Sequence, residues 1–96
     1  MPAEDDAEGG GAGLRRDQVM ERITVYSRQG CHLCETLIEE LLPLVRGRLD
    51  LEIRDIDSDP RWHEQFWEDI PVVEFKGEVI CRHFLDREAI TGILRR

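Results

Sequence analysis

The sequence predicts an α/β domain in which one mixed four-stranded sheet carries helices on both faces. Three observations predict it. Short β-branched and aromatic runs alternate with longer stretches whose apolar residues recur every three or four positions. The last two strand-like runs are separated only by a tight turn. Read along the chain, the order is β-α-β-α-β-β-α, and two strands joined through a helix form a right-handed parallel unit.

The first 22 residues are expected to be a disordered tail, acidic and glycine-rich, without apolar periodicity. Within it, "RRDQVMER" reads either as more tail or as a short helical lead-in. The folded domain is expected over residues 23–96. "RITVYS" is the first strand. After a turn at Gly30, the residues Leu33, Leu37, Ile38, Leu41, Leu42 and Val45 form one apolar stripe of a long helix. Pro43 lies inside that stripe and predicts a kink or an early end, because proline removes a helical donor and crowds the preceding turn. Gly47 marks the final stop. "DLEIRDID" alternates as a second strand, with Leu51, Ile53 and Asp55 facing one way.

Asp59 followed by Pro60 is a helix start, the acid capping and the proline occupying the first helical position. That short helix carries Trp62, Phe66 and Trp67, which read as packing residues with one of them near a cleft rim. "IPVVEF" and "VICRHF", joined by "KGE", form a hairpin. Asp86 caps a last helix with apolar positions Ala89, Ile90, Ile93 and Leu94.

The chain has 96 residues, which is one domain, and 41% of them are apolar, enough for a small core. With 21 acids against 13 bases the formal charge is −8. Nucleic acid and anionic membranes are therefore not expected partners, since both require clustered cations. No apolar run approaches the roughly 18 residues of a membrane span. The N-terminus is acidic where a signal peptide would be basic and then apolar, so a cytoplasmic location is expected. Thiols are mostly reduced there, and three cysteines cannot complete a disulfide framework within one chain.

The chemistry centres on Cys31 and Cys34, with two residues between them, at a strand–helix junction. Free N–H groups and the helix dipole at a helix start stabilise negative charge. A free cysteine of pKa about 8.5 is only about 3% thiolate at pH 7; a pKa of about 7 makes it about half. The thiolate is the species that attacks a disulfide. Cys34 stands one helical turn on, on the same side as Cys31, where a second thiol can resolve a mixed disulfide. Such a pair can also bind zinc, but zinc takes four ligands, and Cys81, His32, His63 and His83 form no second close pair. The same spacing suits an iron–sulfur site, or an inert pair on a non-catalytic adaptor.

Around the pair, a protonated His32 would favour the thiolate of either neighbour, or it is simply an exposed helix-start residue. Leu33 would form an apolar contact surface. Arg28 would steady a thiolate or a substrate carboxylate, or stand solvated. Pro71 would be a cis residue or an ordinary strand opener. Cys81 reads as a small core residue rather than a third redox thiol.

With "CHLC" at the first helix, then "DIDSDP", then "IPVV" before the hairpin, the chain resembles the thioredoxin superfamily. Within it the chain most resembles the short glutaredoxin-like proteins of bacteria, over about residues 23–96. The resemblance implies a thioredoxin-like fold and a thiol–disulfide oxidoreductase in which Cys31 is the exposed nucleophile and Cys34 the buried resolving thiol. It implies that Pro71 is cis and lies beside the sulfurs, with the backbone of Ile70 pairing an extended substrate as an added strand.

The chain departs from that pattern in several places. Val25 stands where thioredoxins carry a buried acid, and His32-Leu33 where glutaredoxins usually have Pro-Tyr. Arg28 matches the basic residue many glutaredoxins use for glutathione, but "DIP" replaces Thr-Val-Pro, which places Asp69 near the cleft. "CRHFLD" replaces a Gly-Gly and following Asp. The expected partners are a disulfide-containing protein or a low-molecular-weight thiol, and a reductase. The protein is expected to be a monomer with no cofactor beyond an external thiol reductant, glutathione or another low-molecular-weight thiol.

Overall fold

A computed structural model of the chain describes residues 20–95; most of the expected tail lies outside the described residues. Strand β1 (Arg22–Ser27) is followed by helix α1 (His32–Val45), strand β2 (Asp50–Asp55) and a 3-10 turn (Ile56–Ser58). Helix α2 (Pro60–Phe66), strands β3 (Val72–Phe75) and β4 (Glu78–Arg82) and helix α3 (Arg87–Leu94) complete the order β-α-β-α-β-β-α. The sheet order is β2-β1-β3-β4, with β1 parallel to β2 and antiparallel to β3. No described helix is long and apolar enough to cross a membrane.

Side-chain alternation along β1 gives the sheet two apolar faces. Ile23 and Val25 point with Val73 and Phe75 toward α1 and α3, where they meet Leu37, Leu41, Val45, Ile90 and Ile93. Tyr26 and Val72 point the other way, toward Ile56 and Phe66 at α2. The second face is partly polar. The Tyr26 hydroxyl donates to Glu74 at 3.2 Å and accepts from Arg54 at 2.8 Å. Burial, reinforced by Glu74, raises the Tyr26 phenol above its ordinary value, so it stays a donor. The Arg54 guanidinium lies 5.0 Å from the Trp62 ring centre, a cation–π contact that closes this face at the β2 edge.

The caps form where the aspartates predicted them. Asp59 accepts from the Arg61 N–H at 2.9 Å and Asp86 from the Ala89 N–H at 3.1 Å. The β3–β4 turn is Lys76-Gly77, with φ of 53° and 82°. Two left-handed residues give the twist a two-residue hairpin needs.

Three expectations are corrected. Helix α1 does not end early at Pro43 but runs to Val45. Pro43 and Glu39 are both exposed, so water can take the carbonyl that the proline leaves unbonded. Gly47 then turns the chain at φ 76°. Strand β4 stops at Arg82 rather than continuing through Phe84, because His83 adopts φ 68°. Trp67 does not pack; it ends α2 and is 53% exposed. The hairpin also carries a bulge: Val73 faces Cys81 but Glu74 faces Val79, leaving Ile80 as the extra residue. Ile80 and Cys81 consequently both lie against the α1–α3 core.

Leu41 is fully buried between α1 and the sheet. Leu41→Ala should lower the unfolding free energy by about 2–5 kcal/mol in a urea titration. A loss below about 1 kcal/mol would show that this core is not packed as described.

Candidate functional site

The pairing of β1 with β3 decides what meets at one edge of the sheet. Tyr26 faces Val72, so the exit of β1 and the entry of β3 lie side by side. The chain leaves β1 through Arg28, Gln29 and Gly30, whose φ of 80° favours glycine, and enters α1 at Cys31.

Cys31 is the cap of α1. Its backbone is extended and its carbonyl accepts the Glu35 N–H at 3.1 Å. Its Sγ accepts the Cys34 N–H, also at 3.1 Å. The sulfur thus takes the capping position usually filled by a serine or aspartate oxygen. Cys31 and Cys34 are joined as a disulfide, with their Cα atoms 5.2 Å apart. Their environments differ. Cys34 is 1% exposed within the α1 stripe, whereas Cys31 is half-buried at the surface. A nucleophile arriving from solvent reaches Cys31 first.

The other sequence-predicted residues fall in different places. The Arg28 carbonyl accepts the Cys31 N–H at 3.3 Å, but its guanidinium turns to Asp57, with Nε donating to Oδ2 at 2.8 Å. His32 is 97% exposed, and its Nδ1 lies 3.6 Å from Glu35. Leu33 is exposed and lines a groove of about 170 Å³ with Thr36, Glu40, His83 and Phe84.

Pro71 is fully buried, its bond to Ile70 is cis, and its carbonyl accepts the His83 N–H at 2.8 Å. Ile70 precedes it with one backbone group already engaged. Its N–H donates to the Phe66 carbonyl at 3.1 Å, so an added strand would find only the Ile70 carbonyl free of that bond. Asp69, expected near the cleft, lies 3.6 Å from Arg82.

Sequence reasoning missed Asp57. The signal lay in the "DIDSDP" stretch: Asp55 accepts the Asp57 N–H and Asp59 caps α2, which leaves the Asp57 carboxylate without a local backbone partner. It is free to reach a distant cation. Phe84, 68% exposed at the rim of the groove, was also missed, because it was assigned to the strand. Among the described residues, no group of three or more His, Cys, Asp or Glu side chains is placed to hold a metal.

Comparison with known proteins gives one family match, a glutaredoxin-like domain (DUF836), over residues 22–95. The chain is similar to a glutaredoxin-like protein, the YDR286C homolog of Dictyostelium discoideum. The two are 28% identical over 75 residues, 71% of this chain and 69% of that protein. It is also similar to the solution NMR structure of protein Ne2328 from Nitrosomonas europaea, with a TM-score of 0.69 at 28% identity. That match covers 83% of this chain and 98% of the other. A malarial protein shares the fold, at 15% identity and a TM-score of 0.52, over 80% of this chain and 96% of the other.

Cys81 is the free thiol of the oxidised protein. Burial pushes its pKa up, so the reactive thiolate is scarce at neutral pH and grows only as pH rises toward the shifted value. Iodoacetamide should label oxidised protein slowly at pH 7, faster at high pH and rapidly in urea. Fast labelling of the folded protein at pH 7 would contradict this placement.

Proposed function

We propose that this chain, which belongs to the glutaredoxin-like domain family, is a thiol–disulfide oxidoreductase in which Cys31 attacks and Cys34 resolves. The single observation that carries the reading is the asymmetry of the pair. Cys31 caps a helix at the surface and Cys34 lies behind it, 1% exposed. A reduced Cys31 in this position would receive the Cys34 N–H and lie at the positive end of the helix dipole, and both favour its thiolate.

That asymmetry supports a two-step exchange. The Cys31 thiolate attacks one sulfur of a substrate disulfide, a new S–S bond forms, and the second substrate sulfur leaves as a thiolate. The Cys34 thiolate then attacks the Cys31 sulfur and expels the first substrate sulfur. Two electrons have passed from the pair to the substrate, and the pair ends as the Cys31–Cys34 disulfide. An external thiol or a reductase returns it to the dithiol. The reading assigns the protein to a reducing compartment, the cytoplasm, as a monomer. Its substrates are protein disulfides or low-molecular-weight disulfides. Exposed Leu33 and Phe84 would supply apolar contact beside the sulfurs.

Cys34→Ser should accumulate a mixed disulfide with substrate through Cys31, seen by non-reducing electrophoresis and mass spectrometry. Cys31→Ser should accumulate none. Equal trapping by both variants would overturn the division of roles.

A further inference from the structure

We propose that Asp57 is a specificity-determining residue of this site: its carboxylate occupies the Arg28 guanidinium and so disfavours thiols and disulfides that carry their own carboxylate. The inference rests on the redox reading of Cys31 and Cys34 and adds a substrate class to it. Arg28 is the arginine closest in sequence to the nucleophile, and its carbonyl is bonded to the Cys31 N–H. A substrate carboxylate beside the attacked sulfur would therefore find its natural partner in Arg28. That partner is taken. Arg28 Nε donates to Asp57 Oδ2 at 2.8 Å. Asp57 has no capping duty that would require it there, since Asp55 and Asp59 fill those roles. His63 Nε2 stands 4.0 Å from the other Asp57 oxygen.

The surroundings of Arg28 act in the same direction. The cleft beside it, about 220 Å³, is lined by Ser27, Arg28, Gln29, Ile53 and Asp55. It offers a second carboxylate and a half-exposed isoleucine, 51% accessible, but no second cation. An incoming anion would have to displace Asp57 and pass Asp55. A neutral or cationic group with an apolar portion meets neither cost. The favoured substrates are accordingly disulfides flanked by neutral, apolar or basic groups.

The effect is bounded by exposure. The Arg28 and Asp57 side chains are 46% and 44% accessible, so water and salt screen the pair. Exposed pairs of this kind are worth about 0.2–1 kcal/mol, which sets the expected change in selectivity at no more than about fivefold.

The test uses the oxidised full-length protein and one exchange step. A small thiolate attacks the Cys31 sulfur, a mixed disulfide forms, and Cys34 leaves as a thiolate. Second-order rate constants, per thiolate, are measured by acid quench and mass spectrometry for 2-mercaptoethanol and for 3-mercaptopropionate, which adds one carboxylate. Asp57→Asn should raise the mercaptopropionate-to-mercaptoethanol ratio about twofold to fivefold. The rise should disappear when Arg28→Gln is also present, and shrink at high salt. An unchanged ratio in Asp57→Asn would overturn the proposal. So would an equal rise in the Arg28→Gln background, which would mean that only net charge had changed. This step needs no turnover of a disulfide substrate, so its failure is distinct from failure of the trapping experiment.

Discussion

The antiparallel ladder between β1 and β3 is the constraint on which the other features depend. Its register puts Tyr26 against Val72, and so sets the exit of β1 beside Pro71. Because β1 is also the central partner of β2, the 3-10 turn that carries Asp57 emerges at the same edge. The end of β4 is tied there too, through the His83 N–H to the Pro71 carbonyl. A slip of one residue would turn Ile23 and Val25 from the α1–α3 core to the opposite face. The apolar pattern of one strand thus fixes the position of the cysteines, the proline and the charged residues together.

Electrostatics at that edge is a matter of local pairing rather than of net charge. The chain is acidic overall, at −8. Yet two of the acids near the site are matched, Asp57 by Arg28 and Asp69 by Arg82. What acts directly on the nucleophile is the start of α1, where the Cys34 N–H donates to the Cys31 sulfur. A negative charge on that sulfur is therefore supported by backbone dipoles, which salt screens less than it screens exposed side chains. The groove that starts at Leu33 adds two exposed apolar side chains, Leu33 and Phe84, among polar neighbours.

Much of this was legible in the sequence, for reasons that are local. Strand β1 followed from a β-branched run, both short-range caps from aspartates ahead of helical patterns, and the cysteine pair from its spacing before the α1 stripe. What escaped depends on tertiary contacts or on single backbone angles. His83 looks like a strand residue by composition, but a left-handed φ ends the strand and exposes Phe84. The bulge that turns both Ile80 and Cys81 inward has no marker residue. Asp57 meets Arg28 across 29 positions of sequence, a pairing set by the β1–β2 register and not by any motif. Trp67 appeared to be core by residue type, like Phe66 beside it; Phe66 is buried as expected, but Trp67 is exposed.

The central claim is that Cys31 and Cys34 act as one two-electron switch, separate from Cys81. A redox titration of the protein in dithiothreitol and glutathione buffers, read by counting alkylated cysteines, tests this directly. One reversible transition is predicted, in which Cys31 and Cys34 change together within the roughly −270 to −120 mV known for such pairs. The same transition is predicted in Cys81→Ser. No transition in that range, or one that vanishes with Cys81, would contradict the claim.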